Sequence, residues 1–447
     1  MSQDAATAAP ETRAPHADRR EALRLLSAAL ERGRALSEAA AEAPADLSPA
    51  DRARALSLAA ETLRRLGQAD AVIRRFARRA PPPPARDALR LAATEIHGLG
   101  APAHAAADGA VAATKARPGG DRAAGFVNAV ARKLAEPEGA AAWAAGDPAR
   151  INAPGWLWGR LSSAYGKAAA HAICAAHLTR PRLDMSLADA DGAWAERLLQ
   201  AFPDAAARLP TGGLRLDPAA VGAVSALPGF EAGAWWVQDA AAAVPARLLA
   251  PPRGARTLDL CAAPGGKTLQ LAAAGAEVTA LDVSAARLDR LRENLARTAL
   301  SAEIVCADAL DWTPAAPFEA ILLDAPCSAI GTARRHPDVL RRRDAPDIKG
   351  LSALQDALLD RAWTWLAPGG RLVYATCSLL PEEGEARVRA FLDRRPDAQA
   401  APAAPADLGL PDAAAAQDPP GLRLRPDLWP ERGGMDGFYA ALIVKDP

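Results

Sequence analysis

From residue 257 to residue 376, short apolar runs alternate with helical patterns, and an acid or a cysteine stands at or just after most of those runs. TLDL (257–260), EVTALD (277–282), AEIVCAD (302–308), EAILLD (319–324) and RLVYAT (371–376) are separated by stretches whose apolar residues recur at helical spacing. That order dictates strand–helix–strand units, which assemble as parallel strands with helices on both faces. A last run, FYAALIVK (438–445), adds a strand near the end. The expected fold class is α/β, a Rossmann-like doubly wound sheet whose ligands sit at the carboxyl ends of its strands.

The rest of the chain reads differently. With 447 residues the protein exceeds what one core organises, so several domains are expected. Residues 1–17 read as a flexible leader and 18–145 as an all-helical domain. Within the latter, Ser48 is placed to cap a helix opening at Pro49, and Leu56, Ala59, Leu63 and Leu66 form its apolar stripe. Ala, Gly, Pro and Asp dominate 136–153, which reads as a linker. Residues 146–235 then comprise linker and a small α+β domain, and 236–447 the α/β domain, with 396–420 as a surface loop.

Composition mainly excludes. Hydrophobic residues make up 50% and charged residues 24%, the balance of a globular chain. With 53 basic and 53 acidic residues, bulk charge neither predicts nor rules out a nucleic-acid partner. The first twenty residues lack an apolar signal region, and no run approaches the roughly 20 apolar residues of a membrane span; a cytoplasmic protein is expected. Five cysteines without a CxxC pair, and six histidines without ligand spacing, argue against a metal site or a disulfide framework. Thiol chemistry remains open.

LDLCAAPGGKTLQLA puts a glycine-containing loop between a strand and a helix, where backbone N–H groups can face a ligand closely. PGGKT superficially resembles a phosphate-binding P-loop, but Gly265 and Gly266 are adjacent and the GxxxxGK[ST] spacing is absent. Acids at successive strand ends sharpen the reading: Asp282, Asp308 and Asp324. Asp282, close to twenty residues beyond the loop, is placed to accept from ribose hydroxyls, and Asp308 from an adenine amino group.

DAPCS (324–328) and YATCS (374–378) each follow a strand with a cysteine. Together with CAAPGGKT (261–268), RRHPD (334–338), PGGRLVYATCS (368–378) and MDGFYAALIVK (435–445), they make the chain resemble the Sun/Fmu family of RNA cytosine-C5 methyltransferases. The helical block carries LRLAATEIHGL (89–99) and FVNAVARKL (126–134), similar to the NusB family of RNA-binding domains. A NusB-like domain joined to this core resembles the RsmB branch, whose substrate is small-subunit (16S) ribosomal RNA. The resemblance implies a class I methyltransferase fold using S-adenosyl-L-methionine, held by Cys261, Ala262, Ala263, Pro264, Gly265, Gly266 and Lys267 with Asp282, Asp308 and Asp324.

The chemistry also follows from the residues. Carbon 5 of cytosine is a weak nucleophile until a thiolate adds at carbon 6 and makes it enamine-like. The hydrogen on carbon 5 and the thiolate must afterwards leave, which a second acid/base group assists. Either cysteine suits either task on sequence chemistry alone. The resemblance assigns Cys377 as nucleophile and Cys327 to product release, with Asp324 beside the cytosine amino group and ring nitrogen. Lys267 could serve cofactor, phosphate or Asp324. Cys174, Cys261 and Cys306 read as packing thiols.

Carbon 6 is reachable only on an unstacked base, so single-stranded or hairpin-loop RNA is the expected partner of a monomeric enzyme. Arg334, Arg335, His336 and Arg341 to Arg343 form a basic patch for the flanking backbone, and RRFARR (74–79) a second candidate. Two departures from the family pattern, RPRLDMSL (180–187) in place of an Arg-Val-Asn triplet and Gly384 within EEGE (382–385), are read as lying away from the chemistry. Competing readings are the same chemistry on transfer RNA or 23S RNA, a DNA or small-molecule methyltransferase, and a non-catalytic ribosome assembly factor. The last predicts loss of a cysteine or cofactor acid, and none is lost.

Overall fold

A computed structural model describes residues 15–77, 79–188, 192–341 and 347–447. They form two compact units, one of the described residues up to 154 with 336–341 and the other of those in 155–335 with 347–447. No helix among the described residues is long and apolar enough to cross a membrane.

The first unit is helical throughout its described residues: α1 (Ala17–Arg32), α2 (Leu36–Ala41), α3 (Pro49–Arg64), α4 (Leu66–Phe76), α5 (Pro83–Ala93), α6 (Ala103–Lys115), α7 (Asp121–Leu134), α8 (Pro137–Ala144) and α9 (Pro148–Asn152). As the sequence predicts, Ser48 caps α3 by accepting from the Asp51 N–H at 3.1 Å, with Pro49 at the first helical position. Leu23, Leu26, Leu63, Leu89, Val127 and Leu134 meet in one core. The Ala- and Pro-rich stretch read as a linker is instead helical over α8 and α9. Pro137 and Pro148 start those helices rather than break them. Asn152 then ties α9 to α4, accepting from Gln68 N at 3.1 Å and donating to Gln68 Oε1 at 2.9 Å.

The segment 336–341 belongs to this unit, and its Arg341 is not an RNA-facing cation. Its guanidinium donates to the carbonyls of Leu63 and Asn152, and burial pushes its pKa down to about 10. Arg342 and Arg343 lie outside the described residues, as does Arg78 of the RRFARR run.

The second unit opens with α10 (Gly155–His177), interrupted at Gly166, and a small α+β part: β1 (Leu183–Leu187), α11 (Ala193–Ala201), β2 (Ala206–Arg208), β3 (Leu214–Leu216) and β4 (Trp235–Val237). These strands pair antiparallel in the order β2-β3-β1-β4. Then follow α12 (Ala240–Leu249), β5 (Arg256–Leu260), α13 (Gly266–Ala273), β6 (Glu277–Asp282), α14 (Ala285–Thr298), β7 (Glu303–Cys306), β8 (Phe318–Asp324), α15 (Ile348–Trp365), β9 (Leu366–Thr376), α16 (Glu385–Arg394), β10 (Ala398–Ala401), β11 (Ala415–Gln417), β12 (Pro420–Leu424) and β13 (Phe438–Lys445).

The large sheet runs β11-β12-β13-β9-β8-β5-β6-β7, with β10 pairing β13. β5 to β9 are parallel, as strand–helix alternation demands, and β13 lies antiparallel to β9. Alternation along the strands divides two cores: Leu258, Leu260, Ile321, Leu323 and Tyr374 pack with α15 and α16. Ala320, Leu322, Val373 and Ala375 pack with α12 and α13. The stretch 396–420, read as a surface loop, contributes β10 and β11. Their alanines carry no β-branched signal, and they become strands by pairing with β13 and β12.

A buried charge cluster joins the small sheet to the large one. Arg215 grips Asp184 with two bonds of 2.6 and 2.7 Å and donates to the Arg432 and Gly434 carbonyls. Arg335 bonds Asp239 and Asp436, and Arg334 donates to the Gly433 carbonyl at 2.6 Å. Burial opposes charge on Asp239, yet Arg335 and Arg334 hold its carboxyl below the usual range, while burial and Asp239 push Asp436 up. Two of the six basic residues proposed to hold RNA are thus structural counter-ions. Removing one partner leaves an unpaired buried charge, so Arg215→Ala is expected to destabilise the folded chain by about 3–5 kcal/mol. Asp184 would then keep its proton to higher pH in the folded state than when unfolded. Denaturant titrations should therefore show a larger loss at pH 8 than at pH 5.

Candidate active site

β5 and β8 are neighbours at the centre of the parallel sheet, and their helices leave to opposite faces, α13 to one and α15 to the other. This divergence opens a crevice at the carboxyl ends of the two strands. The loop after β5 lines one side. Cys261 has φ +64° and Gly265 φ +107°, and a Cβ on Gly265 would lie 2.2 Å from Leu291 Cδ1, so only glycine fits there. Asp259, fully buried beneath the loop, accepts from Thr268 Oγ1 at 2.6 Å through one oxygen, while Oδ1 is buried without a partner. Burial pushes its carboxyl up to about 7.

Asp282, at the end of β6, is nearly buried and braces the loop. It accepts from Ala263 N at 3.1 Å and Ser284 N at 2.9 Å. Val283 beside it is 70% exposed, a large apolar side chain facing solvent at the sheet's ligand edge. Asp308 lies two residues past the end of β7, shorter than the predicted strand. It is exposed and turns the chain by accepting from Leu310 N at 2.9 Å, with Leu310 also exposed.

The end of β8 carries the second half of the site. Lys267 Nζ lies 2.7 Å from Asp324 Oδ2, one of the three partners that the sequence leaves open. Burial disfavours the ammonium, but Asp324 outweighs it and raises the lysine pKa. β8 and β9 pair in parallel with Asp324 opposite Ala375, so their following turns start side by side. The result is Cys327 Sγ 3.4 Å from Cys377 Sγ, across 50 positions of sequence. Cys327 is raised well above the ordinary thiol range by its hydrogen bond with Cys377, then by burial, then by the charges of Cys377 and Glu383.

The other cysteines stand apart. Cys174 is buried, and burial pushes the Cys261 thiol far up, both in keeping with packing roles. Cys306, read as a core thiol, is exposed, because β7 ends there.

One buried acid at this site went unread in the sequence. Glu383 lies in the EEGE stretch judged remote from the chemistry, yet it is fully buried and accepts from Ser328 N at 2.8 Å and from the hydroxyls of Ser328 and Ser378, each at 2.5 Å. These serines directly follow the two facing cysteines. An acidic pair between a proline and a helix resembles an ordinary helix start, and only the return of the chain beneath the sheet edge reveals its place.

Comparison with known proteins agrees with this architecture. Residues 246–444 match the family described as 16S rRNA methyltransferase RsmB/F, and residues 16–136 match the NusB family. The chain is 40% identical over 448 residues to ribosomal RNA small subunit methyltransferase B of Xanthomonas campestris pv. campestris, covering 96% of this chain and 97% of that protein. It is 42% identical over 314 residues to the protein of the same name from Salmonella arizonae, covering 66% and 67%. Among solved structures, PH0851 shares the fold at TM-score 0.73 and 23% identity, covering 97% and 99% of the two chains. A methyltransferase homolog protein from Pyrococcus horikoshii aligns at TM-score 0.53 and 29% identity over 64% of this chain and 93% of that one. With a Rossmann-like sheet, a glycine loop at its switch point and a relative matched along nearly its whole length, the chain belongs to the RsmB/F family of S-adenosylmethionine-dependent rRNA methyltransferases.

Proposed function

We propose that the protein forms 5-methylcytosine at a cytosine of small-subunit (16S) ribosomal RNA, with Cys377 as covalent nucleophile and Cys327 as the base that frees the product. The observation that carries this reading is the 3.4 Å separation of the two sulfurs beside the Asp324–Lys267 pair. The names of the relatives support the RNA class.

The loop fits the cofactor, because the positive φ of Cys261 and Gly265 turns it tightly between β5 and the start of α13, where backbone N–H groups face the crevice. Residues 261–267 would hold S-adenosylmethionine with Asp282 and Asp308, Val283 and Leu310 offering apolar surface to its adenine. When bound, it supplies a methyl group activated by a sulfonium. Asp324, paired with Lys267, accepts from the cytosine amino group and fixes the ring. Cys377 thiolate adds to carbon 6, and the electrons of the C5=C6 bond move toward carbon 5, the methyl acceptor. Once its sulfur is bonded to carbon, Cys377 no longer holds the Cys327 proton in place. Cys327 loses that proton to solvent and takes the hydrogen from carbon 5. The C–H electrons restore C5=C6 and expel the Cys377 sulfur as thiolate.

Incubation with labelled S-adenosylmethionine and separate pools of unmodified 16S RNA, 23S RNA, transfer RNA and DNA, followed by mapping of 5-methylcytosine, tests the substrate. Label at one cytosine of 16S RNA is expected, and label confined to another pool would overturn that assignment. Cys377→Ala should abolish product while cofactor still binds, whereas Cys327→Ala should accumulate a protein–RNA adduct on denaturing gels. Equal, adduct-free loss in both would refute the division of roles. Gly265→Ala forces a side chain into the left-handed region and against Leu291, so calorimetry should show cofactor affinity lowered by about tenfold or more.

A further inference from the structure

We propose that Glu383 is a positioning residue that locks the two Cys–Ser turns together and holds the sulfurs of Cys327 and Cys377 in their working geometry. The inference rests on the two-cysteine reading above and adds a residue to it.

Glu383 is fully buried, and its carboxylate accepts four bonds. Oε1 accepts from Ser328 N at 2.8 Å and from Gln355 Nε2 at 3.2 Å. Oε2 accepts from the Ser328 and Ser378 hydroxyls, each at 2.5 Å, and the two hydroxyl oxygens lie 3.2 Å apart. One carboxylate oxygen thus joins the turn after β8 to the turn after β9, each one residue beyond a cysteine. The backbone of Glu383 is pinned as well: its carbonyl accepts from Tyr374 Oη at 2.8 Å and Thr376 Oγ1 at 3.2 Å, both on β9. Gln355 of α15 spends its amide on Glu383 and on the Pro326 carbonyl, just ahead of Cys327. Burying a carboxylate is costly and charge-assisted bonds offset that cost, so the acid is tolerated here because the two turns supply donors.

The charge of Glu383 also acts on the thiols. It is one of the causes that raise Cys327, so the carboxylate helps keep the proton on that sulfur while Cys377 attacks. A glutamine has the same shape without the charge. A neighbouring acid, Glu382, is half-exposed and pairs with Arg160 at 2.8 Å on the surface, which makes Glu382→Gln the control.

Site-resolved alkylation with iodoacetamide, read by mass spectrometry at low conversion across pH, measures each thiol without needing RNA. Glu383→Gln is expected to lower the pH midpoint of Cys327, because a neighbouring anion is gone. Its single-turnover rate should fall about tenfold or more with S-adenosylmethionine affinity unchanged, as misplacement of reacting groups does. Glu382→Gln should change neither. Ser328→Ala/Ser378→Ala retains the charge, so it should slow the reaction while leaving the Cys327 midpoint in place; this variant decides the matter if Glu383→Gln fails to fold. A rate within twofold of wild type in both variants, or an unmoved Cys327 midpoint in Glu383→Gln, would overturn the proposal. Absence of 5-methylcytosine from the wild type would instead sink the two-cysteine reading, and the alkylation midpoints would still decide the action of Glu383.

Discussion

Parallel pairing of β8 with β9 is the constraint on which the site depends. Parallel neighbours end at the same edge, so setting Asp324 opposite Ala375 delivers both following turns to one place. An antiparallel pairing would have sent the two cysteines to opposite ends of the sheet. The crossover through α15 makes the parallel arrangement possible, and α15 returns the favour chemically through Gln355, which ties the Pro326 carbonyl to Glu383. Fold and site are therefore braced by the same helix.

That economy explains what the sequence could and could not reveal. Strands β5, β6, β8 and β9 are nearly continuous apolar runs because both their faces are covered, and such runs stand out in a string of residues. The cofactor loop is equally legible, since the demand for glycine at position 265 is local. What was missed is long-range. β10 and β11 are alanine-rich segments that become strands through partners elsewhere in the chain. α8 and α9 are held by contacts to α4, dozens of residues earlier.

Charge misleads in the same way. The arginines of RRHPD read as a patch for phosphate, but carboxylates from distant positions, Asp239 and Asp436, already face them. Arg334 is fully buried, a state in which a guanidinium is tolerable only when surrounded by acceptors. The acids that matter here, Asp184 among them, sit where the family triplet was missing. That departure is thus a place in the buried cluster. Sequence gives the sign of a side chain and never its partner.

The thiols show why partners decide chemistry. Cys261 lies in the cofactor loop itself, yet burial and the acids around it push its thiol far up and leave it inert. Cys306 is exposed, with its thiol 3.8 Å from the Val283 carbonyl oxygen. Cys327 and Cys377 differ from both because their sulfurs face each other at 3.4 Å, and that contact raises Cys327. The proposed division into a nucleophile and a base asks for such a pair, in which one sulfur keeps its proton while the other reacts. Bonding of the first sulfur to carbon removes its negative charge and its hydrogen bond, the two interactions with Cys377 that hold the proton on Cys327. On the roles proposed for them, the second group is freed only after the first has acted, an order that the 3.4 Å between the two sulfurs supports.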